Sequence, residues 1–273
     1  MTWPGARRLL RDAVPRPVLA ALATAAVAVA LIPLVYLAVR TGDAGWERLR
    51  DELLTERVAT LAARSLALAA VVTAACVVVG VSSAFLVVRT DLPGRRLFAV
   101  LSTLPLAIPT YIAAFTWVST FRGLEGFWPT ALVLTLCCYP YVFMPVAAAL
   151  VGADPAQEEV SASLGRGPWH TFARVTLPQV RPAVAGGALL VALYVLSDFG
   201  AVSILRTDTF TRAVFVTFEL GFDRTGAVAL SGVLVVLTAV LLAGENATRR
   251  RSARYSRVGG GSRRPPSRPR LRG

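Results

Sequence analysis

The chain has no lysine. All 29 basic residues among its 273 are arginine. It has a single histidine, His170, and three cysteines, Cys76, Cys137 and Cys138, with no CxxC spacing. One histidine without cysteine or carboxylate ligands around it is a poor metal site. Adjacent cysteines seldom bridge to each other, so these three read as small apolar packing residues. An enzyme working inside a membrane would need a nucleophile with its base, or a set of metal ligands, and a lone histidine in a polar loop supplies neither. No GxxxxGK[ST] stretch occurs, which excludes nucleotide binding through a phosphate loop and makes ATP hydrolysis by this chain unexpected.

Apolar residue is plentiful instead. The hydrophobic fraction is 55% and the mean hydropathy +0.60, values ordinary for a multi-span membrane protein and high for a soluble one. Long apolar runs fall at 18–39, 65–88, 97–120, 130–151, 183–205 and 227–243, the last of them short. The expected fold is all-α, a polytopic membrane bundle of about six transmembrane helices. The first run follows Arg7, Arg8, Arg11 and Arg16, as a signal peptide would. It is longer than a usual signal core, and no small-x-small cleavage site follows it, so it reads as a retained helix, with a cleaved signal as the alternative.

Arginine placement gives the orientation. With the N-terminus inside, the inner segments hold twenty arginines, ten of them between Arg249 and Arg272. The outer segments hold nine arginines, matched by nine acids. The positive-inside rule then puts both termini in the cytoplasm, in a bacterial cytoplasmic (inner) membrane, the bacterial source being inferred from the Ala/Val/Leu/Arg bias. The formal charge of +13 is explained by arginines at membrane ends and by a basic tail that meets anionic lipid. No soluble domain is left over to bind nucleic acid, so the lipid membrane is the expected partner for that charge.

Residues 1–17 form a basic cytoplasmic lead-in, 18–248 the transmembrane domain, and 249–273 a Gly-, Ser-, Pro- and Arg-rich tail that reads as a disordered linker. Trp46 to Arg64 carries leucines at helical spacing and reads as a surface helix leading into the second span. Arg89-Thr-Asp-Leu-Pro-Gly-Arg-Arg96 is a tight inner turn, its arginines at the headgroups. Pro105 and Pro109 in the third span, and Pro140 (after Tyr139) and Pro145 in the fourth, remove backbone donors and predict kinks that either line a pathway or serve packing.

Between the fourth and fifth spans lies a polar insert, about residues 152–181. Asp154-Pro155 suits a helix start. Gly165-Arg-Gly-Pro168 suits a stop. Trp169 to Val175 predicts a second short helix ended by Leu177-Pro178. The expected product is a hinged knob with one apolar side built from Val160, Leu164, Trp169 and Phe172.

The spacing Glu159-Val-Ser161-Ala-Ser-Leu164-Gly165, followed after nine residues by Val175-Thr-Leu177-Pro178, resembles the EAA loop of ATP-binding-cassette importer permeases. Val160 and Ser161 depart from the Ala-Ala of that motif. The resemblance implies a MetI-like type I importer permease core, in which Glu159 through Gly165 would dock on a separate ATPase subunit. It implies further partners: a second permease half and an extracytoplasmic solute-binding protein. No cofactor would be bound by this chain itself; ATP and Mg would sit on the ATPase. Further stretches are similar to the ferric-iron type: Leu104-Pro-Leu-Ala-Ile-Pro-Thr-Tyr-Ile-Ala-Ala-Phe115, Tyr139-Pro-Tyr-Val-Phe143 and Ser197-Asp-Phe-Gly200. They imply ferric iron as ligand, with thiamine, phosphonate or another small solute as alternatives. Ferric-type permeases usually join two homologous halves, which makes this chain resemble the N-terminal half, truncated, split, or paired with a separate partner.

Asp198 reads as an acid well inside the fifth span. An intramembrane carboxylate is costly and defaults to a functional hypothesis. It either lines the pathway, where it could meet a cation, or is hydrogen-bonded within the bundle. The distant functional alternative is an ion-coupled secondary transporter. That class places charged, broken helices at the midplane, for which only Asp198 is available here.

Overall fold

The computed structural model describes residues 16–44, 50, 53–121, 123–153, 156–221 and 224–252, and every regular element among them is a helix. The lead-in up to residue 15, the Asp154-Pro155 start signal and the tail beyond Ser252 lie outside the described residues, as do 45–49 of the surface helix expected from Trp46.

Helix α1 (Arg16–Ala44) is apolar all round and packs on the last helix, α12 (Arg224–Ser252). Helix α2 (Glu56–Arg89) starts where the Thr55 hydroxyl accepts from the Val58 N–H at 3.3 Å. Glu56 in its first turn and Arg89 in its last suit the helix dipole. Its 34 residues run about 50 Å, longer than the hydrocarbon core. Residues 56–64 are therefore one continuous rod with the second span, where a separate surface helix was expected.

Two further helices, α5 (Phe127–Cys138) and α6 (Pro140–Gly152), form one span of 26 residues. Tyr139 keeps helical dihedrals between them, so Pro140 sits at a first-turn position and does not break the span. Helix α9 (Leu177–Ser197) completes the centre. A Cβ on Gly80 of α2 would come within 2.8 Å of Val142 Cβ, and one on Gly187 of α9 within 2.8 Å of the Tyr141 carbonyl oxygen and Val142 Cα. Two glycines thus clasp α6 from opposite helices. In lipid, where apolar burial itself drives little association, such close backbone approach is what binds helices. Leu68, Val72, Cys76 and Ala84 of α2 extend the contact, and all three cysteines are buried in it as packing residues.

The third span departs from expectation. Helix α3 (Arg95–Thr103), a 3₁₀ turn (Leu104–Ala107) and helix α4 (Thr110–Thr120) replace one kinked rod, with a bend of 92°. The cause is the proline pair. Pro105 opens the 3₁₀ turn, and the residue before Pro109, Ile108, is forced to extended backbone at ψ 115°. Among the described residues, five helices are long and apolar enough to cross a membrane, and six when this bent pair counts as one span.

The bundle has two distinguishable ends. At one, Gly126 N–H donates to Leu205 O at 2.6 Å, Thr130 meets Thr207 at 2.6 Å, and Arg64 meets Asp208 at 2.9 Å. At the other lie Arg89 and residues 152–153 and 156–176. The bent pair runs from the second end to the first, so it makes a net crossing. Two corrections follow at the chain ends of the domain. The fifth span is Pro168–Ser197 in place of 183–205, and α12 continues to Ser252, past the expected start of the tail at 249.

Candidate functional site

The polar insert forms the helix α7 (Ala156–Ser163). Its end is a complete Schellman motif: Arg166 N–H donates to Ser161 O at 3.2 Å, Gly165 N–H to Ala162 O at 3.0 Å, and Gly165 takes φ +73°. The predicted corner at Gly165 is therefore present, and a left-handed residue makes it. Gly167 leads into helix α8 (Pro168–Thr171), with proline at its first position. The second helix does not end at Leu177-Pro178. A π turn (Phe172–Thr176) joins α8 to α9, with the Leu177 N–H reaching back to Phe172 O. Pro178 has no N–H to give, and the wider turn lets the backbone pass it without a break. The loop thus feeds rigidly into the fifth span.

Val160 on α7, Leu164 just past its end and Trp169 on α8 are 61%, 74% and 80% exposed, large apolar side chains left outside the bundle. Phe172, expected on that same side, turns inward and meets Phe85 of α2 edge-on, ring centroids 4.5 Å apart. Ser161 is buried, with its hydroxyl 2.8 Å from that of Thr171, which fixes α7 against α8. Ser161 is thus the small residue at that contact. Glu159 is exposed in the first turn of α7, while Val175, Leu177 and Pro178 are half-buried at the entry to α9, with Leu177 packed on the bundle core.

The sequence does not point to Arg89, Glu158 or Thr176 as residues of this site. Arg89, expected at the headgroups, has a side chain only 5% exposed, and its Nη2 lies 3.2 Å from Glu158 Oε1. Thr176 in the π turn donates to the same Glu158 oxygen at 2.9 Å. The Arg89 contact is purely electrostatic: none of its three guanidinium nitrogens has a hydrogen-bond acceptor among the described residues. The Glu158-Glu159 doublet was the available signal, since a helix start favours acids, but nothing local says which of the two turns inward.

Asp198 is not inside a span. It follows the last residue of α9, with ψ 127°, before the short helix α10 (Gly200–Ile204). Its Oδ1 accepts from the Ala201 N–H at 2.9 Å and the Val202 N–H at 3.4 Å, and its Oδ2 from Thr110 Oγ1 at 2.7 Å. Thr211 Oγ1 donates to its main-chain oxygen at 2.7 Å. Gly200 abuts the first turn of α4, where a Cβ would sit 2.8 Å from Tyr111 Cβ. The carboxylate therefore ties the break after α9 to the break before α4, with both oxygens occupied by protein donors. Around them, Pro105 is half-buried, Pro109 exposed, Tyr139 half-buried and Pro140 buried, so the three prolines and the tyrosine singled out stand in different surroundings. Among the described residues no three His, Cys, Asp or Glu side chains gather as a metal-binding group.

The geometry has close counterparts. The sequence profile of the family described as "Binding-protein-dependent transport system inner membrane component" matches residues 76–251. The Fe(3+)-transport system permease protein FbpB 2 of Haemophilus influenzae is 39% identical over 214 residues, which is 78% of this chain and 42% of that protein. The chain thus spans less than half the length of that relative. The sulfate transport system permease protein CysT of Escherichia coli is 27% identical over 245 residues, 82% of this chain and 88% of that one. Among solved structures, a bacterial alginate transporter bound to its periplasmic protein superposes with a TM-score of 0.66 at 15% identity, covering 90% of this chain and 96% of that one. The MetNI methionine transporter superposes with a TM-score of 0.63 at 17% identity, covering 73% and 99%. These likenesses carry the fold, and the profile and sequence relatives carry the lineage: the chain belongs to the binding-protein-dependent transport system inner membrane components, the permeases of ATP-binding-cassette importers.

Proposed function

We propose that this chain forms one half of the translocation pathway for ferric iron, driven by a separate ATPase that grips the loop at Gly165. The observation that carries the docking reading is the exposure of Val160, Leu164 and Trp169, which flank a rigid corner. Exposed large apolar side chains grouped at a helical corner mark a protein contact. Orientation supports it, since the positive-inside count puts this end in the cytoplasm, where an ATPase is found. The opposite end would then receive a solute-binding protein, and a second permease half would face the bent third span. In this reading Asp198 is a brace between broken helices and does not contact the cargo.

Ferric iron is favoured by the 39% identity to FbpB 2. Sulfate is the second reading, supported by a relative of similar length, CysT, which this chain covers to 88%. Two measurements test the proposal. A tagged chain co-expressed with its neighbouring ATPase should capture it, and Leu164→Ala with Trp169→Ala should abolish capture; equal capture by the double variant would refute docking at this corner. Membrane vesicles holding the assembled transporter and its binding protein should accumulate radiolabelled ferric iron on ATP addition. Accumulation of radiolabelled sulfate without iron would overturn the ligand.

A further inference from the structure

Glu158 joins three segments that the chain keeps apart: the end of α2 through Arg89, the loop helix α7 on which it stands, and the π turn through Thr176. Beside it, Phe85 packs on Phe172 at 4.5 Å. Phe85 and Arg89 are four residues apart on α2, as are Phe172 and Thr176 on the other strand of the contact, so each pair stacks on one helix face. The result is a two-rung ladder between the end of span two and the root of span five.

An ion pair so buried is not explained by stability. Desolvating both charges costs more than the attraction commonly returns, and apolar residues of similar size often serve as well or better. Here the guanidinium is held by one carboxylate alone, with its remaining donors unsatisfied among the described residues. What the pair does supply is a connection that the backbone lacks. A displacement of α7 reaches α9 through continuous helix, by way of α8 and the π turn. It has no such covalent route to α2, which ends more than sixty residues earlier. Helix α2 and helix α9 grip the same residue, Val142 of α6, through Gly80 and Gly187. If one moved without the other, that close packing would have to open.

We infer that Arg89 and Glu158 are positioning residues for transport: their ion pair is the strut that moves span two in step with the loop helix when the partner ATPase displaces it. This rests on the docking reading above. The same charge that makes the pair costly also makes it directional, because Glu158 separated from Arg89 would strand a buried cation.

The test uses the complete transporter in membrane vesicles, with radiolabelled ferric iron, or radiolabelled sulfate if the wild-type chain accumulates that. Glu158→Gln keeps an acceptor for Thr176 and removes the charge. The double variant Arg89→Met with Glu158→Met removes both charges and so avoids the stranded cation. An allosteric link of ordinary strength changes a coupled equilibrium about 5- to 150-fold. The double variant is expected to reach the membrane, capture the ATPase and hydrolyse ATP as wild type does, while label accumulated per ATP falls at least about fivefold. Glu158→Gln is expected to leave less chain in the membrane, because it strands the Arg89 charge, and to show the same fall in label per ATP for the chain that arrives. Wild-type accumulation per ATP in either variant would overturn the inference. So would a loss of uptake that merely tracks loss of the chain from the membrane, which would make the pair a folding element. A wild-type chain that captures no ATPase would sink the docking reading instead, and shows itself before any variant is compared.

Discussion

Gly165 offers a clean separation of backbone strain from crowding. It is left-handed at φ +73°, and nothing lies within 4 Å of where a Cβ would stand. Any penalty for a side chain there is conformational. An L-residue in this region costs about 1–2 kcal/mol, with Asn and Asp tolerated because their side chains bond locally. Alanine should therefore depopulate the Schellman corner about tenfold, since ~1.4 kcal/mol is a factor of ten. Valine, β-branched, should cost more, and asparagine little. No bundle atom lies within 4 Å of a Cβ at this position, so the amount of chain in the membrane should not change. Capture of the ATPase, measured by titrating it onto immobilised chain, should weaken in the order Gly, Asn, Ala, Val. Equal affinity for glycine, alanine and valine would refute the claim that the left-handed corner matters. Asparagine as poor as valine would show instead that the partner's surface excludes any side chain, with the backbone irrelevant.

Three other outcomes follow from the packing. Asp198→Asn keeps an acceptor for the Ala201 and Val202 N–H groups and should retain uptake, whereas Asp198→Ala orphans those donors and Thr110, at about 1–3 kcal/mol for each buried group left unpaired; thermal unfolding in detergent separates the two, and loss of uptake by a stable Asn variant would return the charge to the pathway. Arg206 takes φ +53° and gives up only a 3.4 Å exposed pair with Glu125, so Arg206→Gly should gain about 1 kcal/mol of backbone relief against at most ~1 kcal/mol of lost ion pair, leaving the melting temperature level or raised. Gly187→Ala drives a methyl to 2.8 Å from backbone of α6 and should cost about 1–3 kcal/mol, read as a lower melting temperature and less chain in the membrane.

The parts of the fold legible in the sequence share a cause: they depend on neighbours within a few residues. Apolar run length marks the spans, because every backbone polar group in lipid must be satisfied within its own helix. Gly165 was readable because a helix end needs a left-handed residue, and glycine takes that conformation at least cost. The misreadings share a cause too. Pro178 resembles a helix stop, but the π turn before it shifts the hydrogen-bond register and the helix continues. Pro109 resembles a kink, but with Pro105 it makes a 92° bend. Asp198 resembles a buried charge in mid-span, and is a cap where the span has already ended. In each case a proline or an acid announces that the helix is disturbed, and the surrounding contacts decide how.

The sequence by itself determined that this is a membrane bundle, which end bears the arginines, and that a hinged polar insert at that end matches a motif for gripping another subunit. All of these follow from composition, run length and short-range spacing. Only the tertiary structure decided which way the insert's side chains turn. Val160, Leu164 and Trp169 face out, Phe172 packs on Phe85, and Glu158 pairs with an arginine 69 residues away. Glu158 and Glu159 are equivalent as helix formers, and the positions of Arg89, at the end of another span, and of Thr176 in the π turn distinguish them. Such a contact has no local signature, because its energy comes from burying two charges that the chain brings together only when the bundle closes.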